Sequence, residues 1–270
     1  MTGAVSRASL AEAAERLHAV LPSATLSTLG DELFAVLHLI DTEHGLRRAL
    51  SDPSRSGEDK AQLMRALLAG KLSAAGVTLA ADVVRLRWTR PSELSDAFEK
   101  LAVAAQAARA EDEGKLDDLE DELFRFSRII EAEPRLRGAL ASIGLPADRK
   151  RGLLDELLAG KTTESGLALI AEAVLHPRGR SLERGLAEYG RLVAARRSRL
   201  VALVRTAVVL SEEQRARLGA ALAAQYGHDV HLNIELDPTV LGGLAIQIGD
   251  EAIDGTIAGR LDDVRRRLAS

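Results

Sequence analysis

Leu67-Leu68-Ala69-Gly70-Lys71 returns unchanged as Leu157-Leu158-Ala159-Gly160-Lys161, and Asp31-Glu32-Leu33-Phe34 returns as Asp121-Glu122-Leu123-Phe124, both at a shift of 90 positions. Between residues 31 and 97, 24 of the 67 gap-free pairs are identical at this shift, so the recurrence runs through a whole segment and not two short words. The identical pairs include Ile40/Ile130, Leu46/Leu136, Leu50/Leu140, Lys60/Lys150, Gly76/Gly166 and Val84/Val174. They fall mainly on apolar and turn positions, which a duplicated fold keeps because they fill its core and shape its corners. The chain therefore reads as two tandem helical modules.

Outward from the repeat, almost everything up to about residue 200 has helical spacing. Leu33, Val36, Leu37 and Ile40 make one apolar stripe, and Leu63, Leu67 and Leu68 another. Leu10, Ala14 and Leu17 make a third, where Ser9 with Glu12 has the form of a capping box. Pro22, Gly45, Pro53, Gly70, Gly76 and Pro91 cut the chain into helices of about three turns, the pattern of a multi-helix bundle. The same shift places residues 9–21 on 99–111, so a helix near 93–112 can close the first module and open the second. A continuous shared helix and a hinge near Glu111-Asp112-Glu113-Gly114 both remain open, although Gly114 disfavours one unbroken helix through that point.

After residue 200 the pattern changes. Residues 200–208 are rich in β-branched side chains (Val201, Val204, Thr206 and Val208) and read as a strand. Ser211-Glu212-Glu213-Gln214 is a capping box for a helix to about Tyr226, with Gly227 as its C′ residue. Val230, Leu232, Ile234 and Leu236 alternate, as do Leu244, Ile246 and Ile248, and Gly249-Asp250 marks a hairpin. Ile257, Leu261, Val264 and Leu268 align on a terminal amphipathic helix, whose stripe either closes the domain core or meets a partner. The expected fold is mainly α: two tandem multi-helix bundle modules, 1–95 and 96–199, followed by a small α/β C-terminal domain, 200–270.

Composition narrows the chemistry. The chain has 270 residues and no cysteine, which excludes disulfides, thiolate nucleophiles and Cys-ligated metal. No run approaches the roughly 18–20 apolar residues needed to span a bilayer. Charges interrupt the N-terminal segment where a signal peptide needs a continuous apolar core, so a cytoplasmic protein is expected. With 36 basic against 40 acidic side chains and 3% aromatic residues, neither phosphate neutralisation nor base stacking is favoured, and nucleic acid is not an expected partner.

Gly160-Lys161-Thr162 resembles the end of a phosphate-binding loop, but Asp155 stands where that loop needs its first glycine. Gly70-Lys71-Leu72 occupies the same place without the hydroxyl, so both read as helix-terminal glycines followed by a lysine that suits the helix dipole. Of the six histidines, only His228 and His231 form a close pair, and strand spacing puts them on opposite faces, so no metal site is expected. Acidic residues, Glu32 and Glu122 among them, read as solvated helix faces. No nucleophile–base constellation appears; the chain is not expected to be an enzyme or to hold a cofactor. Gly242-Gly243 permits either a tight lead into a strand or close approach of another chain.

Three C-terminal stretches carry a signature: residues 206–214, residues 230–244 with Asp237-Pro238-Thr239-Val240-Leu241-Gly242-Gly243-Leu244, and residues 249–261 with Asp254-Gly255-Thr256-Ile257-Ala258-Gly259-Arg260-Leu261. In this order they resemble the delta subunit of bacterial F-type ATP synthases, the oligomycin-sensitivity-conferring protein family. The Glu133-Pro134 turn and the helix ending in Gly160-Lys161 are similar too. Ordinary members have one helical module; residues from about 95 to 270 align as such a member, and 1–95 is the extra copy, as in actinobacterial-type variants.

The resemblance implies a non-catalytic stator subunit of the peripheral stalk. It would join the alpha/beta catalytic head to the C-terminal region of the membrane-anchored b subunit, at the cytoplasmic face of the cell membrane and through partners only. A helical module of the family grips an N-terminal amphipathic helix of an alpha subunit, a helix-in-groove contact. Residues expected at partner contacts are Leu10, Ala14, Leu17 and Val83 in the first module, Ala104, Ala107 and Ala173 in the second, and Gly242, Gly243 and Leu268 in the C-terminal domain. The competing expectation is a helical-repeat adaptor unrelated to ATP synthase, which has no need of the α/β signature.

Overall fold

The computed structural model describes residues 4–142, 144–197, 200–226, 230–237, 240, 242–248 and 251–254. Its helices are α1 (Ala4–Val20), α2 (Leu26–Thr42), α3 (His44–Ser51), α4 (Gly57–Leu68), α5 (Ala74–Arg85), α6 (Pro91–Asp112), α7 (Leu116–Ala132), α8 (Pro134–Ala141), α9 (Ala147–Leu158), α10 (Glu164–Leu175) and α11 (Leu182–Arg197). Shifting α2 through α5 by 90 residues reproduces the first and last residues of α7 through α10 in every case. The repeat in sequence is thus a repeat in structure.

The same shift carries α1 into the body of α6, and α6 onto α11, so α6 is the last helix of one copy and the first of the next. The boundary drawn between residues 95 and 96 falls inside this shared helix. Residues Met1–Arg196 form one compact unit and Arg197–Ser270 another. A single core runs through both helical copies, from Leu17, Leu33 and Met64 through Phe98 and Leu101 to Leu123, Leu154 and Leu169. The structure also describes how α6 ends. Gly114 takes a left-handed φ of 68°, open to glycine at little cost, and turns the chain into α7.

Local chemistry sets the other helix ends. Gly70 (φ 72°) and Gly160 (φ 67°) follow α4 and α9, and Lys161 Nζ donates to the Leu157 carbonyl at 3.0 Å. This is a helix C-terminus and not a phosphate loop. Ser73 and Thr163 cap α5 and α10 by accepting from Gly76 and Gly166 N–H. Two expectations are corrected here. Ser9 caps nothing: α1 has already begun at Ala4, and the Ser9 hydroxyl donates to the Arg87 carbonyl at 2.6 Å.

Glu32 and Glu122 are likewise not solvated. Glu32 reaches from α2 to the start of α5, where it accepts from Ser73 N (3.0 Å) and Oγ (2.7 Å), and Glu122 reaches from α7 to the start of α10, where it accepts from Thr163 N and Oγ1 (both 2.8 Å). Gly76 and Gly166 leave room for these carboxylates, because an added Cβ at either would overlap a carboxylate oxygen. Replacing Glu122 by alanine should strand the Thr163 N–H and cost about 1–3 kcal/mol. Glu32→Ala should cost a similar amount, since the device is duplicated. Thermal denaturation followed by circular dichroism checks both; a loss in one copy alone would contradict their equivalence.

In the second unit, β1 (Leu200–Thr206), α12 (Glu212–Tyr226) and β2 (Val230–Leu236) form a β–α–β crossover with β1 and β2 parallel. Strands β3 (Leu244–Ile248) and β4 (Glu251–Asp254) complete a sheet of order β2-β1-β3-β4, with both added pairings antiparallel. Its core is Ala202, Val204, Leu222, Ile246 and Ile248. The expected capping box is present: Gln214 N–H donates to Ser211 Oγ at 3.2 Å and Ser211 N–H to Gln214 Oε1 at 2.9 Å. Gly227, His228, Gly249-Asp250 and the terminal stripe Ile257–Leu268 lie outside the described residues.

Candidate functional site

The repeat is broken where α2 meets α6, and this break organises the helical unit. Helix α2 runs antiparallel along α6: Arg109 donates to the Ser27 carbonyl, Gln106 donates to Asp31 at 2.8 Å, and Arg178 bridges Asp41 at 2.8 Å to Asp96 at 3.0 Å. Gly30 sits against Gln106, where a Cβ would stand 2.7 Å from the Gln106 side chain. Ser27, Gly30, Phe34, Leu37, His38 and Asp41 recur at three- and four-residue spacing and share this face of α2. At the matching positions α7 carries Asp117, Glu120, Phe124, Ser127, Arg128 and Glu131. Phe34 is 5% exposed, whereas Phe124 is 66% exposed. The first copy packs this face onto the second, while the second copy leaves it in water.

Two side-chain clusters stitch the seam. In the first, Glu99 on α6 is buried and receives Arg178, Arg180 and the Tyr189 hydroxyl, the last at 2.8 Å. Burial next to the Glu99 charge pushes the Tyr189 phenol far above its ordinary pKa. Arg178 adopts φ 50°, unusual for a residue with a Cβ, and from there reaches both α2 and α6. Carboxylates of Glu99, Asp41 and Asp96 outweigh its burial and raise its pKa further.

The second cluster is His38 on α2 with Glu172 and His176 at the end of α10. His38 Nε2 lies 2.9 Å from Glu172 Oε1 and 3.1 Å from Oε2. The His38 and His176 rings stack with centroids 3.8 Å apart. Burial lowers the His176 pKa, with the neighbouring His38 adding to the effect against Glu172. One ligand atom from each of the three residues falls within 4.8 Å of the others, the one such trio among the described residues. The sequence reading missed it, although the i, i+4 spacing of Glu172 and His176 on one helix face was a visible half of it.

The residues expected at partner contacts divide by burial. Leu17, Val83, Ala107 and Ala173 belong to the hydrophobic core, so they hold the bundle together and cannot face a partner while it is closed. Leu10, Ala14 and Ala104 are half-buried. Leu10 lines an open groove of about 390 Å³ with Trp88, Asp96, Lys100, Arg180 and Leu192. Gly242 (φ 64°) and Gly243 (φ 87°) both take left-handed conformations, which the tight lead into β3 requires. Leu268 lies outside the described residues. A further groove of about 450 Å³, not foreseen from sequence, is lined by Val208, Leu210, Leu218, Gly243 and Leu244, with Val208 66% exposed.

No helix among the described residues is long and apolar enough to cross a membrane. The profile of the family "ATP synthase delta (OSCP) subunit" matches residues 102–268, which span the second helical copy and the α/β domain. Proteins named ATP synthase subunit delta are similar over nearly their whole length. The one from Thermobifida fusca is 51% identical over 265 residues, covering 98% of each chain. That of Streptomyces coelicolor is 48% identical, covering 98% of this chain and 97% of its own. The Salinispora arenicola protein is 42% identical and covers 100% and 99%. These relatives share the extra helical copy as well as the C-terminal domain, and with them this chain belongs to the ATP synthase delta (OSCP) subunit family.

Proposed function

We propose that this chain is a non-catalytic stator subunit of the peripheral stalk of an F-type ATP synthase, holding the alpha/beta head against rotation by linking it to the membrane-anchored b subunit. The observation that carries this reading is the full-length similarity to delta subunits, extra module included. The rigid helical unit suits the task, since a static tether transmits force only as well as its own parts resist moving. Leu10 and Ala14 offer half-buried apolar positions one turn apart on α1, next to the groove above, and accept an amphipathic N-terminal helix of an alpha subunit; Ala104 is the matching position on α6. The groove beside Gly243, with exposed Val208, takes the C-terminal region of b. Attachment is peripheral, on the cytoplasmic face of the membrane.

Affinity capture of the chain from native membranes should bring alpha, beta and b together. Capture without them would overturn the stator reading. Within it, the double variant Leu10→Asp, Ala14→Asp should weaken binding of a synthetic alpha N-terminal peptide by at least about tenfold, or ~1.4 kcal/mol. The melting temperature should stay nearly unchanged, because neither side chain is fully buried. Unaltered peptide affinity would move the alpha site elsewhere.

A further inference from the structure

We propose that His38, Glu172 and His176 form a site for a divalent transition-metal cation of the zinc class, placed where the first helical copy meets the second. Two imidazoles and a carboxylate are the donor set such cations take, with a solvent molecule completing the fourth position. The three donor atoms already lie within 4.8 Å of one another. Tetrahedral coordination with bonds of about 2.0–2.1 Å separates donors by roughly 3.3 Å, so the cluster needs only small rotations. The cation takes the place of the proton that His38 Nε2 and Glu172 now share across 2.9 Å. The stacked rings part so that each turns a nitrogen inward.

Two further observations support the assignment. The Glu172 side chain is 6% exposed, and a carboxylate so deeply buried calls for a cationic partner. The donors also come from two copies. The positions one repeat away from His38, Glu172 and His176 are Arg128, Asp82 and Leu86, which offer no such set. The trio therefore exists only because the His38 side chain on α2 reaches the end of α10, and a cation bound there would fasten the seam. This inference stands on the seam geometry and does not depend on the stator reading.

The test uses the full chain, purified without a histidine tag and stripped with chelator. Calorimetric titration with Zn²⁺ should show one saturable site with a dissociation constant of about 10 μM or tighter. Excess Zn²⁺ should raise the melting temperature by several degrees, since it binds only the folded seam. Co²⁺ should give the visible absorption of a nitrogen–oxygen site. His38→Gln and His176→Gln should each weaken binding at least about tenfold and abolish most of the Zn²⁺-dependent rise in melting temperature, each measured against its own metal-free form. The double variant His228→Gln, His231→Gln should bind as the parent does. No saturable site at about 100 μM free Zn²⁺, or binding that survives His38→Gln and His176→Gln, would overturn the proposal.

Discussion

Phe34→Ala should cost about 3–5 kcal/mol of stability, whereas Phe124→Ala, the same change at the same place in the other copy, should stay within about 0.5 kcal/mol. Both phenylalanines close an Asp-Glu-Leu-Phe tetrad and sit on equivalent helices. One is 5% exposed in the seam with α6 and the other 66% exposed to solvent. Truncating Phe34 leaves a cavity beside Gly30 and Leu37 that the helices cannot close, because Gly30 already stands against Gln106. For a helical unit of this size the loss lowers the melting temperature by roughly 2–4 °C per kcal/mol. Urea denaturation of the two variants side by side checks it. Equal costs would mean that the faces of α2 and α7 are covered alike, against the seam described here.

The second large effect belongs to Glu99. Glu99→Ala should destabilise by about 3–5 kcal/mol, because it removes the shared acceptor of Arg178, Arg180 and Tyr189 at one stroke. Two partly buried guanidiniums lose a counter-charge, and a fully buried phenol loses the carboxylate to which it donates. Tyr189→Phe should cost only about 1 kcal/mol, since Glu99 keeps both arginines. The measurement is the urea midpoint, with an unchanged slope showing that the denatured state is not altered. A Glu99→Ala loss below about 1 kcal/mol would show the cluster to be solvated and replaceable.

The repeat, the helical character of the first 200 residues and several helix ends could be read in the chain because their causes are local. Gly70, Gly114 and Gly160 supply left-handed turns within a few residues of the helices they end, and the Ser211–Gln214 pair satisfies its own backbone. The seam was not read, since it depends on which of two faces of α2 finds a partner far along the chain. Its trace was nonetheless present in the differences between copies. Gly30 against Glu120, Leu37 against Ser127 and His38 against Arg128 all change character on one helix face. The seam is thus marked by the mismatches between the copies and the shared fold by their matches. Leu17, Val83, Ala107 and Ala173, expected at partner contacts, lie in the core for a related reason: an apolar stripe at helical spacing is first of all the side that faces the bundle's own core.

Helix α6 has a mechanical meaning. Two modules joined by a flexible tether would stretch the tether before they strained each other, and part of any applied torque would be lost as slack. Here the two copies hold one beam in common, flanked along its length by α2 and pinned near its end by the Arg178 cluster. Load arriving at one copy meets the other through a continuous rod of hydrogen bonds, whose compliance is that of a packed helix. The duplication has lengthened the body without adding a joint.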